Sequence, residues 1–390
     1  MIDLERRERL QRLMHEAGYD VLICRLPEHL VYLTNYWPHH GFSIAVATRE
    51  GYFGLLVPEI EQEYADPEWA EIIPFGWGLL KDPDLYSSYR EHLSRLRDRL
   101  GLRRTIIGVE YSCEVIAPTY RHAEPVVPAA PWHELLRELF PDATLKPAED
   151  LLARARVIKT NYEIERIRLA NEVAALGLSR LKELAVPGRT EAEVSAAIEA
   201  EIRARGTGYR SARLVRASAE VNAGPEGSYK GYLLVPSTPR IIREGDLVMV
   251  ELATVVDGYW SDLTRVVVAG EPTSQQREIF EVVLRAQRAA IQSMKPGALA
   301  GEVDAAARKV IEEAGYGPYF IHITGHGVGY RYHESMPFLM PESQAPLEAG
   351  MVCTVEPGVY IPGFGGIRIE DDCAVTHEGP QLLSSVERML

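Results

Sequence analysis

The chain repeats itself, and that repeat limits its fold more than any other feature. PGRTEAEVSAAIEAEI begins at Pro187, and PGALAGEVDAAARKVI begins 109 residues later at Pro296, with Pro, Gly, Glu, Val and two Ala coinciding. Each copy follows a helical pattern, and Thr190 with Glu193 forms a capping box in the first. A strand-like run follows each: EGDLVMVE carries Gly245 and Glu251, and AGMVCTVE carries Gly350 and Glu356, six positions apart in both. Two alanine-rich helices can look alike by chance. A second match, in strands of fixed internal spacing, argues for duplicated structure. Two similar helix-helix-strand halves are therefore expected, with equivalent strands sending Glu251 and Glu356 toward a shared centre.

The repeat occupies only the later part of a chain of 390 residues. Single cores stop growing near ~250 to 300 residues, so a second, N-terminal domain is expected. The first ~150 residues alternate helix-like and strand-like pieces: RRERLQRLMHEAG stopped by Gly18, then DVLICRL, then FSIAVAT and YFGLLVP around a Glu50-Gly51 turn. This reads as a small α/β domain over 1–150, followed by a larger domain over 151–390. KPAEDLLARARVIKTNYEIERIRLANEVAALGLSRLKELA opens the second as one long amphipathic pattern.

No run of ~18 apolar residues could span a bilayer, and MIDLERRERLQRL lacks an apolar signal core, so a cytoplasmic enzyme without a membrane partner is expected. The net charge of -14 disfavours nucleic acid. Cys24, Cys113, Cys353 and Cys373 show no CxxC pairing and sit in or beside apolar runs, which predicts reduced core thiols. His29, His39, His40 and His377 read as surface or loop residues.

Acids in apolar strands are costly unless paired or bound to a cation, and Glu251 and Glu356 lie in VMVELAT and VCTVEPG. Each is followed by a hairpin-like excursion and a further acid, Asp262 in DGYWSDLTR and Glu370 in GGIRIEDD. Four carboxylates and one histidine make a hard, oxygen-rich set suited to two divalent ions. His326, in the glycine-rich FIHITGHGVGYRYHE, is the natural fifth ligand, with Gly325, Gly327 and Gly329 permitting close backbone approach. His322 and His333 flank it and could donate hydrogen bonds to substrate. Arg368 should share a strand face with Glu370 and hold a ligand carboxylate or a substrate anion. Singly, Asp262 could cap a turn, His326 could be a satisfied loop histidine, and Glu370-Asp371-Asp372 a solvated edge. Their shared order in two matched halves favours a single site.

At these residues the chain resembles the superfamily of aminopeptidase P, prolidase, methionine aminopeptidase and creatinase, the M24 "pita-bread" fold. SDLTR, GHGVG with the downstream YHE, TVEPGVY and GIRIEDD carry the resemblance in the second domain; EHLVYLTNY carries it in the first. The resemblance implies an α/β (α+β) chain, with a creatinase-type N-terminal domain before a pseudo-twofold catalytic domain. It implies metal ligands at Glu251, Asp262, His326, Glu356 and Glu370, two divalent ions (Mn first, with Co, Zn or Fe as alternatives), and substrate contacts at His322 and His333. Two departures stand out. Glu251 occupies a place usually held by Asp, and VNAGPEGSYKGYLLVPSTPRIIREGD lacks the histidine that peptidases carry upstream of the first strand, leaving Ser228, Tyr229 or Lys230 as substitutes.

The expected activity is metal-dependent hydrolysis of an amide bond in small peptides, as an Xaa-Pro aminopeptidase or dipeptidase. Glu356 is the expected proton shuttle, His322 and His333 its catalytic companions, and a homodimer the expected assembly. A creatinase-like hydrolase of a small non-peptide C-N bond, and a metal-poor binding relative, are the competing readings.

Overall fold

The computed structural model describes residues 2–76, 84–112, 129–233 and 235–390. Its contacts separate into two units, Met1–Arg156 and Val157–Leu390.

The first unit contains α1 (Leu4–Ala17), β1 (Val21–Cys24), α2 (Pro27–Thr34), β2 (Ile44–Thr48), β3 (Phe53–Pro58), β4 (Glu71–Phe75), α3 (Leu85–Leu100), β5 (Ile106–Val109), α4 (Ala130–Leu139) and β6 (Thr144–Pro147). Asp3 caps α1, and Gly18 ends it in the left-handed conformation that glycine adopts without penalty. The six strands form one sheet in the order β4-β3-β2-β1-β5-β6. Val21, Ile23, Val46 and Ile107 from its face pack with Tyr89, Leu93, Trp132 and Leu136 from α3 and α4.

His29 departs from the surface position expected of it. It is fully buried on α2, and its Nδ1 lies 2.6 Å from Glu110. The N-cap residue Leu26 has no side-chain acceptor to offer, so Glu110 takes that role, accepting from the Arg25 and Leu26 amides at 2.7 and 3.0 Å. Cys24, Cys353 and Cys373 are buried free thiols as expected; Cys113 lies outside the described residues.

The long helical pattern expected at the start of the second domain is broken. α5 (Glu149–Val157) stops before α6 (Asn161–Leu178), which opens on a capping box between Thr160 and Glu163 and leads to α7 (Leu181–Leu184). The first half continues with α8 (Glu191–Gly206), β7 (Val215–Ala223), α9 (Gly224–Lys230), β8 (Leu247–Val256) and β9 (Tyr259–Val268). The second contains α10 (Ser274–Ser293), α11 (Ala300–Glu313), β10 (Gly325–Gly327), β11 (Glu334–Leu339), β12 (Val352–Val355), β13 (Gly358–Ile361), β14 (Gly365–Arg368), β15 (Asp371–Thr376) and β16 (Gly379–Leu382). β7, β8 and β9 form one antiparallel sheet; β11-β10-β12-β15-β16 form another, and β13 pairs with β14.

The duplication extends to individual hydrogen bonds. Thr190 bridges Ile241 in the first half, and Leu299 bridges Pro346 in the second. The Gly188 amide reaches Ile242 O at 2.9 Å, and the Gly297 amide reaches Leu347 O at 2.8 Å. All eight residues in these four pairs fall in the registers that align the two sequence copies.

The halves differ in how their central strands return. β8 turns into β9 through Asp257-Gly258, both with positive φ, the signature of a tight two-residue hairpin. β12 returns to β15 only after the β13–β14 hairpin has been inserted between them.

Each half has its own apolar core. Val248, Val250 and Leu252 of β8 pack with α6 and α8 residues such as Val173 and Ile198, while Leu247 and Met249 face the core built on α10 and α11. Strand alternation then puts Glu251 on the same face as Leu247 and Met249.

Candidate metal centre

Period-two alternation assembles the site. On β9, Leu263 and Val267 enter the first core, so Asp262 and Thr264 share the opposite face with Val266 and Val268. On β12 and β15, Cys353, Val355, Cys373 and Val375 enter the second core, which leaves Thr354, Glu356, Glu370 and Asp372 on the other side. Asp371 points away from its neighbours and is bound by Arg265 at 2.7 Å and Arg388 at 2.8 Å. Burial would raise its pKa, but those guanidinium groups and Ser384 hold it below the ordinary carboxylate range.

The loop glycines are required by strand packing. A Cβ on Gly325 would lie 2.0 Å from Thr354 O, and one on Gly327 would lie 2.1 Å from Met336 O. Close passage of β10 between its neighbours, not clearance around an ion, is what demands glycine there. His326 sits between the two. Its backbone amide donates to Thr354 Oγ1 at 3.0 Å, and its Nδ1 lies 3.0 Å from Gly327 O. A carbonyl only accepts, so Nδ1 carries a hydrogen, and Nε2 is the nitrogen that faces inward. That Nε2 lies 3.5 Å from both Asp262 Oδ2 and Glu356 Oε1.

The five residues expected as ligands come together in overlapping groups. Donor atoms of Glu251, Asp262 and Glu370 lie within 4.8 Å of one another, as do those of His326, Glu356 and Glu370, and those of Asp262, His326 and His333. His333 therefore stands close enough to count with the ligand candidates; its ring centroid is 4.4 Å from that of His326.

The set fits a cation on its own chemistry. Asp262 Oδ1 and Oδ2 and Glu370 Oε1 are buried without a hydrogen-bond partner of ordinary geometry, although such atoms are costly to leave unsatisfied. Burial raises the pKa of Asp262 well above the usual range, and the charges of Glu251, Glu356 and Asp372 add to it. Glu370 is raised by burial and then by Asp262, Glu356 and Glu251. Glu356 is raised by burial and by Glu251, against the lowering influence of His326 and Arg368. Acceptors that converge and repel in this way are relieved by a bound positive ion.

Arg368 is paired with Glu251, one of the candidate ligands. Its Nη2 pairs with Glu251 Oε2, its Nε donates to Thr264 Oγ1 at 3.0 Å, and its Nη1 donates to Tyr360 Oη at 2.8 Å. Tyr332 donates to Glu251 Oε1. Thr264 Oγ1 lies 2.8 Å from Glu251 Oε2 and 2.6 Å from Glu370 Oε2, so one hydroxyl proton faces two carboxylates.

His322 is neutral, its pKa lowered to about 3 by burial and by Arg368. Its Nδ1 lies 2.7 Å from Ile323 O and so carries the hydrogen; its Nε2, 3.0 Å from Tyr360 Oη, accepts from that hydroxyl. Both ring nitrogens are thus engaged within the protein.

Tyr332, Thr264 and Tyr360 were not singled out from sequence. Thr264 was within reach, two places beyond Asp262 and hence on its face; Tyr332 and Tyr360 lie inside the YHE and TVEPGVY motifs, which gave them no role of their own. Of the substitutes for the missing histidine, Ser228 is buried and bonded to Gly224 O and the Gly366 amide, and Lys230 is exposed. Tyr229 packs against Tyr232, which packs against Tyr360 with ring centroids 5.4 Å apart.

Comparison with known proteins identifies the family. Residues 165–377 match Metallopeptidase family M24, and residues 6–158 match the Creatinase/Prolidase N-terminal domain. An Xaa-Pro dipeptidase of Pyrococcus furiosus is 35% identical over 387 residues, covering 99% of each chain. The solved structure of an Xaa-Pro dipeptidase from Bacillus anthracis superposes with a TM-score of 0.78 at 29% identity, covering 99% of both chains. That of an X-Pro aminopeptidase from Thermotoga maritima gives 0.77 at 25% identity, covering 98% of both. A fold of two matched halves around a carboxylate and histidine centre, following a creatinase-type domain in the sequence, places this chain in metallopeptidase family M24.

Proposed function

We propose that the chain hydrolyses the amide bond of Xaa-Pro peptides, with the domain over 151–390 as the hydrolase and Glu251, Asp262, His326, Glu356 and Glu370 as the residues that hold two divalent ions. The carrying observation is the convergence of His326 Nε2 on Asp262 and Glu356, 3.5 Å from each, beside buried carboxylate oxygens without a hydrogen-bond partner of ordinary geometry. Divalent ions at such a centre supply Lewis-acid polarisation and a nucleophile at neutral pH. Mn is our first choice, with Co, Zn and Fe as alternatives, because the donors are mostly oxygen.

Glu356 is the residue we assign to proton transfer. Its side chain is 14% exposed, against 5% for Glu251 and 1% for Asp262, so it has the best access to a reacting group. Burial and the charge of Glu251 raise its pKa, against His326 and Arg368. His333 lies beside Asp262 and His326 and is assigned to substrate contact. His322 is assigned a narrower role, since it fixes the Tyr360 hydroxyl and, through it, Arg368. A homodimer in the cytoplasm completes the proposal.

The aromatic pair Tyr229 and Tyr232, in the segment that lacks the upstream histidine, favours one second reading: a small non-peptide C-N substrate. One panel separates the two. Protein stripped of metal and reloaded with Mn, Co, Zn or Fe is assayed on Xaa-Pro dipeptides, Xaa-Pro tripeptides and small amides. Metal-restored release of an amino acid from the dipeptides supports dipeptidase action, and cleavage of tripeptides alone supports aminopeptidase action. Activity confined to small amides, or none with any ion, overturns the peptidase reading.

A further inference from the structure

His333 ends a loop, residues 328–333, where the strand ladder loses its register. Phe338 of β11 faces His326 of β10, yet Glu334 faces the very next β10 residue, Gly327. Such irregularities re-aim side chains, and the aim must then be held by something other than the ladder. Backbone bonds tie the start of the loop: the Val328 amide reaches Val352 O at 3.2 Å, and the Trp260 amide reaches Gly329 O at 2.7 Å.

Side chains from the start of α6 tie the rest. Lys159 Nζ lies 2.6 Å from Glu334 Oε2, and Glu334 Oε1 accepts from the Tyr330 amide at 2.9 Å. Tyr330 Oη in turn donates to Glu163 Oε1, and Glu163 Oε2 accepts from the Thr160 amide at 2.7 Å. The Lys159 stem passes over the start of the loop, since a Cβ on Gly329 would lie 2.9 Å from Lys159 Cε. Lys159 is itself fixed, its amide donating to Gly350 O at 2.7 Å. Lys159, Glu163, Tyr330 and Glu334 are all buried. Replacing a buried ion pair by groups of similar volume is often neutral for stability, which leaves defined geometry as what the Lys159–Glu334 pair contributes. The residue beside that pair is His333, whose ring centroid is 4.4 Å from those of His326 and Tyr332.

We propose that Lys159 and Glu163 are positioning residues for His333, keeping its ring beside Asp262 and His326 by gripping the loop at Glu334 and Tyr330. The inference rests on the assignment of His333 to substrate contact. Both residues act through the loop and not on the substrate.

The test uses the full-length, metal-loaded protein and Xaa-Pro dipeptides. Lys159→Met combined with Glu334→Gln removes both charges and keeps a side-chain carbonyl for the Tyr330 amide. Melting temperature and bound metal are expected to stay at wild-type values, while kcat/KM falls about 100-fold, the scale of a misplaced substrate contact. Tyr330→Phe, which releases Glu163 alone, is expected to lose about tenfold, the effect of one hydrogen bond to a charged group. In a His333→Ala background neither change is expected to lower kcat/KM by more than about threefold, because the group they position is gone. The His333 imidazole signal in a histidine-labelled NMR spectrum of the Zn-loaded protein, identified by its loss in His333→Ala, is expected to shift in both variants while that of the exposed His377 stays in place. That signal decides where His333→Ala is too slow to assay. If the double variant fails to fold, Tyr330→Phe decides by the same readings. Undiminished kcat/KM, an unmoved His333 signal, or equal losses with and without His333 overturns the inference while leaving the peptidase reading standing. His333→Ala as active as wild type overturns the assignment of His333, and wild type inactive on Xaa-Pro dipeptides overturns the peptidase reading; either result overturns this inference with it.

Discussion

The two halves of the second unit are built alike, yet they treat their matching glutamates in opposite ways. Glu251 in the first half is clamped by Arg368, Tyr332 and Thr264 and is 4% exposed as a residue. Glu356 in the second has only loose contacts and the more open position. Duplication supplied two equivalent carboxylates, and divergence gave one a structural duty and left the other available for chemistry. The sources of the clamp are themselves unequal: Arg368 and Tyr332 both come from the second half. A residue's place in a repeat therefore gives its direction, whereas its duty depends on what the other half brings to it.

Exchanging charge for amide at each glutamate is the sharpest way to break this comparison. Glu356→Gln is expected to lower kcat by about 10^3-fold, within the range for loss of a proton-transferring group, with little change in melting temperature. Steady-state kinetics alongside calorimetry checks this, and a loss under tenfold would remove Glu356 from proton transfer. Glu251→Gln is expected to lower stability as well. It leaves Arg368 buried without its counter-charge, so unfolding free energy should fall by about 3 kcal/mol. Denaturant titration that finds Glu251→Gln as stable as wild type would show that the clamp is not structural.

A smaller effect comes from His322. Its folded pKa of about 3 lies below the value of 6.5 expected when exposed, so the unfolded chain binds a proton that the native chain refuses. The stabilisation is fully present above about pH 6.5 and is lost as pH falls toward 3, at about 1 kcal/mol per pH unit. The difference in unfolding free energy between wild type and His322→Gln, followed from pH 7 to pH 5, should shrink on acidification; a difference that stays constant would mean that His322 is not held neutral. The smallest effect contrasts the helix starts of the repeat. Thr190→Ala removes the side-chain acceptor of α8 and should cost about 1 kcal/mol, whereas Leu299→Ala at the equivalent start of α11 removes no acceptor, because Leu299 has none. Equal losses by thermal denaturation would mean that the cap is not the source of the difference.

Much of this was legible in the sequence because the repeat and strand alternation are local, periodic properties. They aligned Glu251 with Glu356 and put Asp262 and Glu370 on inward faces. What escaped depends on contacts between distant segments. That Tyr332 reaches Glu251, or that Glu110 caps α2 and draws His29 inside, follows from tertiary register with no sequence period behind it. Gly325 and Gly327 beside His326 answer to the backbones of neighbouring strands, a demand that only the tertiary register reveals. The break between α5 and α6 could have been read, because Thr160 and Glu163 carry the same capping spacing as Thr190 and Glu193. The apolar periodicity running through it obscured the stop.

The β13–β14 hairpin has no counterpart in the first half, and it delivers both Tyr360 and Arg368. The centre is thus held from an insertion and not from the shared framework. Because Val359, Tyr360 and Ile367 of that insertion are buried in the second core, any change to how Glu251 is held is also a change to the packing of the half that carries the hairpin.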